Sequence, residues 1–354
     1  METVFISDFS LSSQELGTAF APVFLGLTIT MIIGGALVDH FGMKRMVWMA
    51  FIFHMIGITT TMLAFDFWSL FFGSLAIGIG NGLVEAACNP LIATIFSDHK
   101  TKMLNRFHIW FPGGIVIGSI LGYFIMEQAN LPWQILVSVM FIPTIIYGIL
   151  IVGQKFPRTE RVQMGITTSN MWKAIVSPLF LFMAFCMVLT ASTELGTNQR
   201  ISSLLQETGV SAILVLAFIN GIMAIGRGLA GPVVKKIDTT GMLLFSAIFA
   251  FVGLIWLSYS SGVSTFMAAF VFAIGVCYFW PTMLGFVSEK IPESGALGLS
   301  VMGGIGNFSI SIALPVIGIF MDTAASGAET LRYMAVMPAI LIVAFLLLYI
   351  KFKK

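Results

Sequence analysis

Eleven apolar stretches, each long enough to cross a lipid bilayer, govern what this chain can fold into. A helix needs about 20 residues to span roughly 30 Å of hydrocarbon. Runs of that order lie near residues 15–37, 46–65, 68–96, 104–127, 132–153, 172–199, 210–234, 240–259, 263–287, 296–320 and 330–350. Within hydrocarbon each backbone N–H and C=O must find its partner inside the segment, so every run is expected to be an α-helix. Composition agrees: 58% of residues are hydrophobic and 10% charged, whereas water-facing domains carry about a quarter charged residues.

That balance excludes several classes. A net charge of +2, with Lys and Arg other than Arg227 falling in or beside loops instead of on one face, gives no basic face for nucleic acid. Cys88, Cys186 and Cys277 are widely spaced within apolar runs and form no metal-ligand or disulfide pattern. No cofactor is expected. The opening METVFISDFSLSSQELG has no basic stretch before an apolar run and is not read as a cleavable signal peptide.

Several runs carry small residues four apart, such as Gly78/Gly82 and Gly114/Gly118/Gly122. This spacing predicts close helix–helix approach where no hydrophobic effect drives packing. The longest polar connection, 154–171, divides the chain into 1–153 with five spans and 172–354 with six. Taking loops alternately, one side of the membrane collects Lys44, Arg45, Lys100, Lys102, Arg106, Lys155, Arg158, Arg161, Lys173, Lys235, Lys236, Lys290, Lys351, Lys353 and Lys354. The other side collects Arg200 and Arg332, and Arg227 falls inside a span. Basic loops stay cytoplasmic, which places the carboxyl terminus in the cytoplasm, Met1 outside, and the chain in the plasma (inner) membrane.

The chain also repeats itself. One span ends in Gly35-Ala-Leu-Val-Asp39-His-Phe-Gly42-Met-Lys44-Arg45, and about 196 residues later another ends in Gly231-Pro-Val-Val-Lys235-Lys236-Ile-Asp238. Two bundles related by a parallel repeat are a transporter signature. The second copy has one span ahead of this segment and the first has none. An expected twelve-helix plan would then lack its first helix here.

The pattern Gly35-x3-Asp39-x2-Gly42-x-Lys44-Arg45 resembles the loop between the second and third helices of the major facilitator superfamily. The resemblance implies an all-α membrane protein of two helical bundles, acting as a secondary transporter that rocks around a central site. It gives Gly35, Asp39, Gly42, Lys44 and Arg45 a gating role at the cytoplasmic rim. A narrower likeness lies in Gly82-Leu-Val-Glu85-Ala-Ala-Cys-Asn89-Pro90, which is similar to the fucose–proton symporter branch. It implies proton coupling and sugar recognition for Glu85 and substrate contact for Asn89. That branch also uses a carboxylate on the first helix, so the partner of Glu85 is not named here.

The residues themselves point the same way. A charge near mid-bilayer costs roughly 2.5–3.5 kcal/mol and is retained where it faces a wet passage. Glu85 therefore suits proton exchange; a hydrogen-bonded structural acid is the plain alternative. Asn81, Glu85 and Asn89 recur every fourth residue and share one helix stripe, and Pro90 frees the carbonyl of Ala86. Glu194, Thr197 and Asn198 share a face and read as cavity-lining, or as a solvated helix end. Asn220 and Asn307 each suit a hydroxylated ligand or another helix. Trp280 and Trp110 offer flat apolar faces to a sugar ring, or simple packing. Arg227 either snorkels toward the membrane surface or serves a charge-pair gate. His108 is read as a neutral packing residue with a proton relay as alternative.

The leading expectation is proton-coupled uptake of a fucose-, glucose- or galactose-like monosaccharide by a monomer in the bilayer, with Na⁺ left open as coupling ion. Antiport of a lipophilic compound is the second. Phe111-Pro112-Gly113-Gly114 resembles the glycine–proline motif of drug antiporters, yet lacks the glycines that precede it there, and so reads as a kink. An enzyme is not expected, because HExxH, GxSxG and clustered His/Cys are absent. An inactive remnant is the fourth reading, since a lost helix would expose polar surface to lipid.

Overall fold

A computed structural model of the chain describes residues 2–11, 13–163, 165, 167–205 and 208–352. Met1, Met164, Ile166, Lys353 and Lys354, which enter the topology and linker readings, lie outside the described residues. Helices dominate, and no strand occurs among the described residues. Among the described residues, ten helices are long and apolar enough to cross a membrane, from Thr18–Phe41 to Gly327–Phe352. On the Pro22–Phe41 helix, Leu25, Ile29, Ile33, Leu37 and Phe41 recur every fourth residue and are all exposed. In water that stripe would be the buried one; left facing outward, it suits lipid.

The span expected at 210–234 is divided. The Ala212–Gly228 helix ends at Leu229, and helical backbone resumes at Ala230. Pro232 has no N–H to give to the carbonyl of Gly228, so the helical ladder cannot run through. The resumed helix reaches Leu257 with a break at Asp238, where φ is 55° and ψ −178°. The repeat spacing carries Gly42 onto Asp238, and Gly42 has φ 81° and ψ 139°. Both copies thus turn between helices at the same register on a left-handed residue.

Contacts divide the chain into two units that do not follow chain order. The first comprises Met1–Ile95, Gly118–Trp172 and Glu293–Gly304, and the second Phe96–Ile117, Lys173–Pro292 and Ile305–Lys354. In the first, the Pro22–Phe41 and Met43–Met62 helices pack on Phe67–Ile95. Gly78 and Gly82 make that approach possible, since a Cβ there would fall 2.3 Å from the Val23 carbonyl oxygen and 2.6 Å from that of Leu27. The close approach expected at Gly114 and Gly118 does not occur: nothing lies within 4 Å of either Cβ position among the described residues. Spacing alone cannot tell a helix-facing stripe from an open one. In the second unit, Ala230–Leu257 packs on Val263–Val276 and Val336–Phe352, and Phe279–Lys290 on Lys100–Phe107.

Candidate functional site

The Phe67–Ile95 helix carries the polar stripe of the first unit. Asn89 is fully buried and donates from Nδ2 to Glu85 Oε2 at 2.6 Å. One turn earlier, Asn81 Oδ1 lies 3.1 Å from His54 Nε2, and His54 Nδ1 lies 2.8 Å from the Tyr147 hydroxyl. With an amide oxygen as its partner, Nε2 carries the imidazole proton and Tyr147 donates to Nδ1. The ring has room because position 80 is glycine: a Cβ there would sit 2.3 Å from His54 Cδ2. Glu85 is half-buried, with one carboxylate oxygen bound by Asn89. Hydrogen-bond donors and acceptors of both kinds therefore line three successive turns of one helix, which suits hydroxyl groups in either role.

The Gly35–Arg45 motif expected at the gate also falls in the first unit. A Cβ at Gly35 would lie 2.1 Å from Ser300 Cβ, so the glycine admits the start of the Gly295–Thr323 helix. Asp39 accepts from Thr159 Oγ1. Lys44 Nζ donates to the Gln154 carbonyl at 2.7 Å, and Arg45 is exposed. Gly35 meets Ser300, Asp39 meets Thr159 and Lys44 meets Gln154, partners that no spacing in the sequence indicates.

In the second unit Arg227 does not snorkel. Its side chain is 1% exposed and makes three hydrogen bonds: Nη2 to Glu194 Oε1 at 2.7 Å, Nε to the Cys277 carbonyl at 2.7 Å, and Nη1 to the His108 carbonyl at 2.9 Å. Glu194 sits in a π-helical turn, Ser192–Gly196; such turns recur at functional sites because they redirect side chains. Just beyond it, both amide atoms of Asn198 and the Thr197 hydroxyl are buried without hydrogen-bond partners. Asn220 donates to the Leu216 carbonyl at 2.9 Å, while its Oδ1 is buried and unpartnered. Buried polar atoms left open in this way are costly, and a polar ligand would relieve the cost. Trp280 packs against Gly306, where a Cβ would lie 2.6 Å from Cζ3, and Asn307 is 8% exposed. Trp110 is 73% exposed.

A sequence model of the family described as "Major Facilitator Superfamily" matches residues 1–314. The chain belongs to the major facilitator superfamily. As a member it is a multi-pass membrane transporter, and the fold agrees. The E. coli fucose:proton symporter FucP superposes with a TM-score of 0.80, covering 98% of this chain and 93% of that one at 14% identity. The proton:xylose symporter XylE superposes at 0.80 over 100% of this chain and 90% of its own, at 15% identity. Among sequence relatives, the hexuronate transporter of Bacillus subtilis is 25% identical over 300 residues, 75% of this chain and 69% of its own length. The quinolone resistance protein NorA of Staphylococcus aureus is 22% identical over 326 residues, 86% and 81% of the two chains.

Two groups in this major facilitator protein escape the sequence reading. His54 and Tyr147 lie on separate spans, and only packing brings them to Asn81. A histidine in mid-span is the one signal that could have flagged them. In the second unit Glu289 accepts from Thr101 Oγ1 at 2.6 Å and from Thr239 Oγ1 at 3.1 Å, while Lys100 Nζ donates to the Ser288 carbonyl at 3.2 Å. Those partners come from three distant stretches of chain and leave no local trace.

Proposed function

We propose that this transporter takes up a monosaccharide together with a proton, with Glu85 as the proton-coupling group and Asn81 and Asn89 among the substrate contacts. The observation that carries the reading is the 2.6 Å bond from Asn89 Nδ2 to Glu85 Oε2 on a helix whose next polar side chain in line is Asn81. In its ionised form Glu85 carries a charge that the neutral Asn89 amide does not cancel, and that charge opposes passage through hydrocarbon by roughly 2.5–3.5 kcal/mol. A proton taken from the outer side removes the opposition, and sugar hydroxyls bound beside it add the differential affinity needed to favour the exchange of access. Loss of the proton to the cytoplasm returns the empty carrier. The likeness in fold to two sugar:proton symporters and in sequence to a hexuronate transporter supports a sugar as cargo.

Glu194, Asn198, Asn220, Trp280 and Asn307 complete the substrate contacts in this reading, and Gly35, Asp39, Gly42, Lys44, Arg45 and Arg227 serve the gates. Segments 1–153 and 172–354 act as the two bundles joined by 154–171. The carboxyl terminus faces the cytoplasm, in the plasma (inner) membrane, and the monomer is the working unit. The test is sugar uptake into proteoliposomes under an imposed pH gradient. Wild-type protein accumulates its sugar and acidifies the lumen, whereas Glu85→Gln exchanges sugar without proton-driven accumulation. Undiminished accumulation by Glu85→Gln would remove Glu85 from the mechanism.

A second reading, export of a lipophilic compound by antiport, is favoured by the likeness to NorA over most of both chains. Proton-driven efflux of a quinolone from the same vesicles, with no sugar of the panel transported, would establish it in place of the first.

A further inference from the structure

A cavity of about 770 Å³ opens where the Pro22–Phe41 helix ends. Its wall carries Lys44, Arg45, Lys155 and Arg158 against one carboxylate, Asp39. Three features distinguish it from a rim of solvated cations. Lys44 is docked on the Gln154 carbonyl at 2.7 Å, a neutral acceptor that does not cancel its charge. The 20-residue helix Met43–Met62 starts in the cavity wall with no side-chain cap and no acidic residue in its first turn. The Arg45 and Met46 amides bond the Gly42 carbonyl, so the first two amides and the positive end of the dipole add to the field of the side chains. Finally, Gly42 holds φ 81°, and among the described residues nothing lies within 4 Å of its Cβ position, so the turn at the helix start is unfilled. The one lining carboxylate, Asp39, accepts from the Thr159 hydroxyl and keeps its charge, so four cations stand against one anion.

We propose that this cavity binds a phosphate group, presented either by an anionic phospholipid headgroup or by a soluble phosphate ester. Arg45 and Arg158 supply planar forks that match two phosphate oxygens at once. Lys44 and Lys155 supply point charges, and the helix start supplies backbone donors. The volume falls within the range of small-molecule sites, which admits a glycerophosphate as readily as an inorganic ion. Occupancy would brace the Gly35–Arg45 turn against the segment 154–162. The site stands independently of the sugar reading, because none of its ligands touches cargo in that scheme.

The test uses the purified full chain, stripped of lipid in detergent, with two probes. Native mass spectrometry follows short-chain phosphatidylglycerol against phosphatidylcholine, and calorimetry follows glycerol 3-phosphate. The wild-type protein is expected to bind phosphatidylglycerol above phosphatidylcholine, glycerol 3-phosphate, or both. Selective lipid binding with no response to the ester assigns the headgroup; binding of the ester assigns the soluble source. The double variant Lys155→Gln/Arg158→Gln should weaken the bound probe by about 30-fold, given the contribution of each basic side chain near an anionic group. Both side chains are exposed, so its melting temperature should match the wild type. Lys44→Gln, measured in parallel, should weaken the same probe. Binding of neither probe above the phosphatidylcholine level, or equal binding by wild type and both variants, would overturn the proposal.

Discussion

Arg227 and Glu194 meet at 2.7 Å with their side chains 1% and 2% exposed. Two further guanidinium donors go to backbone carbonyls, so one acid compensates the charge and three groups hold the fork in place. Removing one member of such a pair strands the other in a dry setting, at a cost of about 3–5 kcal/mol. Arg227→Met should therefore lower the melting temperature of the purified protein sharply. Arg227→Met combined with Glu194→Gln should recover much of the loss, since no buried charge is left. Arg227→Lys should behave like a loss, because an ammonium cannot reach three acceptors through a fixed fork. Equal melting of the single and double variants would remove the pair from the stability argument.

The His54 bridge makes a prediction about transport. With Nε2–H committed to Asn81 Oδ1, the Asn81 amide hydrogens are the part left for cargo in the proposed uptake scheme. His54→Phe should raise KM for the transported substrate several-fold while leaving the maximal rate nearer to wild type. Tyr147→Phe removes one hydrogen bond, worth about 1 kcal/mol, and should give roughly a fivefold rise in KM. A fall in maximal rate at constant KM for both variants would contradict the assignment.

Two glycines separate packing from spacing. A Cβ at Gly275 would lie 2.2 Å from the Ala250 backbone nitrogen and 2.6 Å from its Cα, neither of which can move alone. Gly275→Ala should destabilise by about 1–3 kcal/mol through overpacking. Gly114→Ala meets open space and should be neutral or slightly stabilising. Thermal melting of the two variants side by side decides the matter.

Asp238 holds φ 55° and ψ −178°, a region that is nearly restricted to glycine. Its Oδ1 accepts from the Gly241 N–H at 2.8 Å and from Thr240 Oγ1 at 2.7 Å, so the side chain caps the helix that follows. Asp238→Ala keeps the strain and loses the cap, an expected cost of about 1–2 kcal/mol. Asp238→Gly loses the cap yet relieves the strain, and should melt above Asp238→Ala. The reverse order would show that the turn is set by its neighbours instead.

Much of the architecture was legible because hydrocarbon imposes a one-dimensional rule. A run such as 330–350 must be a helix wherever it packs, and the repeat from Gly35–Gly42 to Gly231–Asp238 declares two related halves without any contact being known. The family followed from the same motif, and the Glu85–Asn89 stripe followed from helical periodicity alone. The division at Leu229 was harder to see, since Gly228, Gly231 and Pro232 read equally well as an interrupted span and a continuous one.

Tertiary structure decided what sequence spacing leaves open. Gly78 and Gly114 sit in similar patterns, yet only the first faces a neighbouring backbone, because the facing partner is a property of another segment. Arg227 reads either as a snorkelling cation or as half of a charge pair until Glu194, Cys277 and His108 arrive from three other stretches to meet it. His54, Tyr147 and Asn81 share no local signal whatever. Backbone satisfaction in lipid is a demand each segment meets by itself and so is written locally; the pairing of buried polar side chains is met between segments, and only their packing reveals it.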